Sequence, residues 1–242
     1  MNYFYTTPLR PCPYIKGLSE RRIITELDSY DTEEMHDLLT LNGFRRSHGL
    51  AYTMSCPGCT ACIPMRINCA DFTLSRSQRR LEKINDSTIF ADTVKSSTRE
   101  QYALFKSYQV GRHDGGEMSK MTFYDYQGLS DNSPLETSLI EYRLSDGYLV
   151  AVCIIDRLID GFSAVYSFYD PCMQKNSLGT YMILWLIRRS RNIGLRYLYM
   201  GFWIEKCTKM SYKSKFRPYE IFINAEWQQP ESFARNSMEK TI

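Results

Sequence analysis

The 242-residue chain has no apolar run long enough to cross a bilayer, which argues against a helical membrane protein. Its opening residues, Met1-Asn2-Tyr3-Phe4-Tyr5-Thr6, lack the basic and apolar blocks of a secretory signal. Both absences predict a cytoplasmic protein with no membrane partner. In that reducing compartment the eight cysteines are expected to be thiols or metal ligands rather than disulfides. Histidine is scarce, at three residues, and only His113 sits in a suggestive Gly-rich loop. No His–Cys pair is evident, so a catalytic thiol is disfavoured. Net charge is small too, at +3, and no internal repeat is visible.

What charge there is lies unevenly. Arg188 to Arg217 holds nine Lys/Arg against the single acid Glu205, the pattern of a near-neutral protein with one polyanion-facing surface. Tyrosine is abundant, at 18. The strongest local pattern runs from Thr137 to Trp203. Thr137–Leu144 alternates, Asp146-Gly147 marks a tight hairpin, and Tyr148–Leu158 returns. A second pair, Asp160-Gly161, turns the chain into Phe162–Tyr169, which Pro171 ends. Ser177 is the expected N-cap of a helix carrying Tyr181, Leu184, Trp185 and Arg188, and Gly194 sits where a left-handed residue closes it. Leu195–Trp203 then reads as a strand buried on both faces.

This meander, crossover helix and neighbouring strand resemble the GNAT acyltransferase fold. In that fold the strand before the crossover offers backbone N–H groups to the acyl donor, and the helix N-terminus holds its phosphates. The stretch Gln174-Lys175-Asn176-Ser177-Leu178-Gly179-Thr180 keeps one glycine of the acetyl-CoA loop and lacks its spacing. The scaffold therefore suggests acyl transfer, and the loop suggests a donor other than coenzyme A.

Upstream, Asp31 or Thr32 is expected to cap a helix through Leu41, ended by Asn42-Gly43. Phe44–Met54 reads as one strand, Cys56 to Cys62 as a tight loop, and Ile63–Asn68 as a second strand. Ser75 opens a short basic helix, and Asn85–Lys95 reads as an extended connection and domain boundary. Thr98 caps a helix with Gln101, Tyr102, Phe105 and Tyr108 near one face. The expected architecture is a two-lobed α/β (α+β) protein. A GNAT-like acyltransferase core covers about 96–227, a smaller cysteine-containing lobe covers about 1–85, and the polar tail 228–242 is disordered.

Several separated motifs occur together: Cys12-Pro13-Tyr14, Gly43-Phe44-Arg45-Arg46-Ser47-His48, Cys56-Pro57-Gly58-Cys59-x-x-Cys62 and Ser75-Arg76-Ser77-Gln78-Arg79-Arg80. Tyr166-Ser167-Phe168-Tyr169-Asp170-Pro171 and Lys209-Met210-x-Tyr212-Lys213-x-x-Phe216-Arg217-Pro218 follow. Together they resemble the arginyl-tRNA–protein transferase family, above all its bacterial aspartate/glutamate leucyltransferase branch. The resemblance implies transfer of leucine from Leu-tRNA to the N-terminal amine of proteins beginning with Asp or Glu, which creates a destabilising N-terminus of the N-degron pathway. Two other readings remain: an acyl-CoA-dependent GNAT N-acyltransferase, and a non-catalytic thiolate-metal RNA-binding module.

An aminoacyl ester is already activated, so placing it against an amine and stabilising the oxyanion matter more than a strong nucleophile. Backbone donors over Tyr166–Asp170, Tyr166 and Phe168 among them, are candidates for the oxyanion, with Asp170, Glu141 or a ribose hydroxyl as proton carrier. The acceptor carboxylate calls for a cation, Arg143 first, then Arg45 or Arg46. Arg143 beside Glu141 is also explained by a cross-strand ion pair. Arg76, Arg79 and Arg80, with Lys209, Lys213 and Arg217 at four-residue spacing, are candidates for tRNA phosphates. C-x-x-C-x-x-C is a ligand signature, so Cys56, Cys59 and Cys62, completed by Cys12 or Cys69, could hold zinc or an iron–sulfur cluster. A tight turn of reduced cysteines explains the same residues. Catalysis requires no cofactor in this scheme.

Overall fold

A computed structural model describes residues 3–27, 31–113 and 115–230. The strands are β1 (Tyr5–Thr6), β2 (Arg10–Pro11), β3 (Ser19–Glu20), β4 (Arg22–Glu26), β5 (Arg45–Ser47), β6 (Leu50–Met54) and β7 (Ile63–Asn68). They continue with β8 (Ile89–Val94), β9 (Thr137–Leu144), β10 (Leu149–Arg157), β11 (Gly161–Tyr169), β12 (Tyr197–Trp203), β13 (Tyr219–Ile223) and β14 (Glu226–Gln228). The helices are α1 (Thr32–Leu41), α2 (Arg76–Asp86), α3 (Arg99–His113), α4 (Phe123–Gln127) and α5 (Leu178–Asn192).

Eight strands form one sheet in the order β14-β13-β7-β12-β11-β10-β9-β8, antiparallel except for β11 against β12. The meander β9-β10-β11 follows from the two Asp-Gly turns, and Gly147 has the positive φ of 89° that the first turn demands. Strand β10 is buried from Leu149 to Asp156 because helices cover both faces of the sheet. Cys153 and Ile155 pack with Tyr181, Leu184 and Leu186 of α5. Val152 and Ile154 pack on the other face with Phe105 of α3 and Tyr126 of α4. The helix from Thr98 carries a capping box: Gln101 N donates to Thr98 Oγ1 at 3.2 Å and Thr98 N donates to Gln101 Oε1 at 3.0 Å. Helix α2 has the same device between Ser75 and Gln78.

Three sequence readings change. Phe44–Met54 is a hairpin, not one strand: His48 takes a left-handed φ of 55° and Gly49 completes the turn between β5 and β6. Asn85–Lys95 is no open connection, because Ile89–Val94 is the edge strand β8, paired with β9 throughout. The sheet therefore draws strands from both sides of that expected boundary, and β7 lies between β12 and β13 in its interior. Ser177 does precede α5, but with φ 46° and no side-chain capping bond. The tail begins in order, with Gln228 paired to Ile221; residues 231–242 lie outside the described ones.

The four-stranded sheet β1-β4-β6-β5 is anchored to the large one by a buried ion pair. Arg46 donates from Nε to Asp156 Oδ2 at 2.6 Å and from Nη2 to Oδ1 at 2.8 Å. It also donates to the carbonyls of His48 and Leu129, both at 3.1 Å. Thr137 Oγ1 donates to Asp156 Oδ1 at 2.6 Å, and His36 stands at 3.9 Å. Burial pushes the His36 imidazole down to about 4.

Candidate functional site

Strands β11 and β12 pair for three residues only, Gly161–Ser163 against Tyr197–Tyr199. Beyond that they part. A register shift in the β10–β11 pairing inserts Val165, since Ile154 faces Tyr166 while Ile155 faces Ala164. On β12 the pairing with β7 shifts between Tyr199 and Phe202, around Gly201 with φ 67°. The two irregularities open a cleft of about 660 Å³, closed by the first turn of α5 and by residues 208–213.

Asp170 N donates to Val150 O at 2.9 Å, which fixes the alternation along β11. Phe168 and Tyr166 share that orientation toward β10, whereas the amides of Ser167 and Tyr169 face away from it, toward the cleft. Of the backbone donors expected over Tyr166–Asp170, those of Tyr166, Phe168 and Asp170 are thus committed to the sheet, and those of Ser167 and Tyr169 are left for the cleft. The side chain of Phe168 is fully buried on the α3 face. Tyr166 lines the cleft, its hydroxyl accepting from Gln109 Nε2 at 2.7 Å.

Arg45 enters from β5. Its Nη2 donates to Val165 O at 2.6 Å, satisfying the carbonyl freed by the bulge. The guanidinium lies so close to Gly201 that a Cβ there would stand 2.9 Å from Nη1. Four basic side chains line the cleft, Arg45, Arg112, Lys209 and Lys213, and no carboxylate or histidine does so among the described residues. Lys213 is 7% exposed and donates to Met200 O at 2.8 Å and Phe202 O at 2.6 Å, two carbonyls that β12 carries beyond its pairing with β11. Burial, reinforced by Arg45, pulls its ammonium down to about 7. Met182, Ile183, Leu186 and Met200 give the cleft an apolar wall.

The other expected site residues fall elsewhere. Arg143 binds Glu100 at 2.6 Å and Glu141 at 2.9 Å, and Glu141 also accepts from Gln101 at 2.7 Å. Neither Arg143 nor Glu141 lines the cleft. Arg46 is spent on Asp156. Asp170 accepts from the Tyr148 hydroxyl at 2.9 Å and from Cys172 N at 2.8 Å, which is the strand-ending turn. Lys209, Lys213 and Arg217 do not share an exposed helix edge: Ser211–Lys215 is a 3₁₀ turn, Lys213 is buried, and only Lys209 and Arg217 are exposed. Arg76, Arg79 and Arg80 are exposed on α2, whose Gln78 donates to Lys215 O at 3.3 Å and holds that helix beside the turn. Sequence reasoning passed over Arg112, although it follows Tyr108 by one helical turn on α3.

The thiols of Cys12, Cys56, Cys59 and Cys62 lie near one another: burial, then Cys56, Cys12 and Cys59, push Cys62 up to about 12. Cys56 turns its thiol to Arg21 O at 3.7 Å. Among the described residues no group of three or more His, Cys, Asp or Glu is arranged to hold a metal ion.

A bulged meander strand that parts from its parallel neighbour above a helix N-terminus defines a GNAT-like acyltransferase core. Consistent at the level of fold is the structure of L-PGS from Bacillus licheniformis, with a TM-score of 0.51 and 14% identity over 70% of this chain and 58% of that one. Sequence comparison goes further. The family models described as "Arginine-tRNA-protein transferase, N terminus" and "C terminus" match residues 10–80 and 100–223. A protein of Paramagnetospirillum magneticum named aspartate/glutamate leucyltransferase shares 44% identity over 227 residues, 94% of this chain and 93% of that protein. A like-named protein of Gluconacetobacter diazotrophicus shares 46% over 224 residues, 93% of this chain and 86% of its own. The chain belongs to the arginine-tRNA-protein transferase family. No helix among the described residues is long and apolar enough to cross a membrane.

Proposed function

We propose that the cleft joins leucine, delivered as the ester of Leu-tRNA, to the α-amine of proteins that begin with Asp or Glu. The observation that carries this reading is the lining: the cations Arg45, Arg112 and Lys209 with no acid among the described residues, set against an apolar wall and two strand amides turned to the cleft. The 3′ end of a tRNA and an acidic first residue both bring negative charge, which such a lining attracts. Met182, Ile183, Leu186 and Met200 suit a leucyl side chain and offer nothing to an arginyl one. The product is a destabilising N-terminus of the N-degron type.

The chemistry follows from placement. The amine attacks the ester carbonyl, the tetrahedral oxyanion is held by Ser167 and Tyr169 N–H groups, and the ribose oxygen leaves. Holding amine and ester together supplies about 7–11 kcal/mol. One oxyanion donor contributes about 10²–10³-fold in rate. No metal enters any of these steps. Arg45, the acceptor candidate that lines the cleft, pairs with the acceptor's side-chain carboxylate. The exposed Arg76, Arg79, Arg80, Lys209 and Arg217 meet tRNA phosphates.

The experiment supplies radiolabelled Leu-tRNA or Arg-tRNA to peptides differing only in residue one. Leucine is expected on Asp and Glu peptides in preference to Asn or Gln by about 10²-fold, since leaving the half-buried Arg45 unmatched against a desolvated neutral side chain costs a few kcal/mol. Equal labelling of Asp and Asn peptides, or label from neither tRNA, overturns the proposal.

A further inference from the structure

Transfer to a protein N-terminus begins from an ammonium, so one proton must leave before nitrogen can attack. Nothing at the ordinary carboxylate or imidazole end of the scale is there to take it. Among the described residues the cleft carries no Asp, Glu or His, and the earlier candidates Asp170 and Glu141 stand outside it. The positive charge comes from Arg45, Arg112 and Lys209. Burial holds Tyr14, Tyr108 and Tyr212 protonated above the usual phenol range. Cys153, at the cleft floor, is pushed by burial up to about 12.

Lys213 differs from all of these in geometry. Its nitrogen has four tetrahedral directions. One is the bond to Cε, and two are N–H bonds donated to Met200 O and Phe202 O. The remaining direction carries either a third proton or a lone pair. Among the described residues no acid pairs with the ammonium, and both bound carbonyls remain satisfied when the third proton is lost. The fold thus anchors a primary amine without needing its charge, in a residue that lines the cleft. Arginine could not serve, because a guanidinium stays protonated.

Building on the transfer reaction proposed above, we infer that Lys213 is the proton acceptor that frees the attacking amine. Neutral Lys213 takes one proton from the acceptor's α-ammonium. The amine's lone pair forms the bond to the ester carbon, and the tetrahedral adduct carries a second N–H proton on positively charged nitrogen. As the carbon–oxygen bond breaks, that second proton goes to the departing ribose oxygen, which leaves as a hydroxyl. Lys213 then returns its proton to solvent. The low value of about 7, caused first by burial and then by Arg45, suits a base working near neutral pH.

The test uses the full-length protein, Leu-tRNA and two nucleophiles. One is a peptide beginning with Asp, whose amine is largely protonated at neutral pH. The other is hydroxylamine, which is already neutral there. Lys213→Arg keeps donors for the two β12 carbonyls but cannot accept a proton. Its enzyme-dependent leucyl transfer to the peptide at neutral pH should fall about 5–10-fold, because solvent alone leaves only that share of an α-amine of pKa about 7.7–8.0 free near pH 7. Transfer to hydroxylamine should change little, and with the peptide the rise of kcat with pH should move from near 7 up to the amine's own range of about 7.7–8.0. Equal losses with both nucleophiles, or an unaltered pH profile, overturn the inference and leave Lys213 a support for β12. Wild-type protein that moves no leucine to the Asp peptide would instead overturn the transfer reaction itself.

Discussion

Replacing Arg46 by methionine should unfold much of what joins the two sheets. Arg46 is 2% exposed and Asp156 fully buried, and the guanidinium is the only charged group that hydrogen-bonds that carboxylate among the described residues. Without it, Asp156 keeps the Thr137 hydroxyl, and the Leu129 and His48 carbonyls lose a donor. Breaking one side of such a pair costs about 3–5 kcal/mol. Against a typical total of about 5–15 kcal/mol, that is a large share. With a urea dependence of about 2 kcal/mol per M, the midpoint should drop by about 2 M. Replacing both partners, Arg46→Met with Asp156→Leu, removes the stranded charge and should recover more than half of the loss. Urea titration of the three proteins measures this directly. The same double variant, once folded, should keep its preference for Asp over Asn peptides. A single-variant loss below about 1 kcal/mol, or a double variant no better than the single, refutes the anchoring argument. A selective loss of the Asp preference would return Arg46 to the acceptor site.

Other outcomes follow from the same geometry. Arg45→Gln should raise KM for Asp peptides and cut their advantage over Asn peptides to near parity, whereas Arg143→Gln, away from the cleft, should leave that advantage intact in the same competition assay. Lys209→Ala and Arg217→Ala should each flatten the salt dependence of tRNA binding by about one phosphate contact, read from binding isotherms across salt concentrations. His36 is neutral when folded, so the unfolded chain binds the extra proton; stability should fall as pH drops from about 6.5 to about 4. The loss should total about 3 kcal/mol, and His36→Gln should flatten the decline in a urea series. Cys59→Ser, and protein treated with a strong chelator, should retain leucyl transfer when assayed with an Asp peptide.

The fold was most legible where one segment determines itself. Alternation plus two Asp-Gly pairs specified β9, β10 and β11, and an amphipathic run closed by Gly194 specified α5. The β5–β6 hairpin escaped notice because His48 supplies the left-handed turn residue and interrupts no obvious pattern. Strand β8 escaped because it is an edge strand with one half-hearted alternation, its burial running from Ile89 to exposed Phe90. For the site, the decisive clue was present but unused. Arg45 and Arg46 are adjacent on a strand, so they must point to opposite faces and could never have shared a role. Lys213 was the opposite case: a regular four-residue series of cations looks solvent-facing, and nothing local reveals that a departing strand leaves two carbonyls needing its nitrogen. The clustered thiols were legible as neighbours, but their arrangement depends on where β3, β4 and β6 bring Cys12 and the loop, which spacing does not encode.

The interior place of β7 has a consequence during synthesis. Its partners β12 and β13 are encoded far downstream, the latter ending at Ile223, 155 residues after β7 ends at Asn68. At about 5–20 residues per second, β7 waits roughly 7–27 s on the ribosome for β12, which ends at Trp203, before either of its edges can be covered. During that interval Met65 and Ile67, fully enclosed in the finished sheet, have no partner strand. A member of the arginine-tRNA-protein transferase family thus has one strand of its first third among the last parts to become secure.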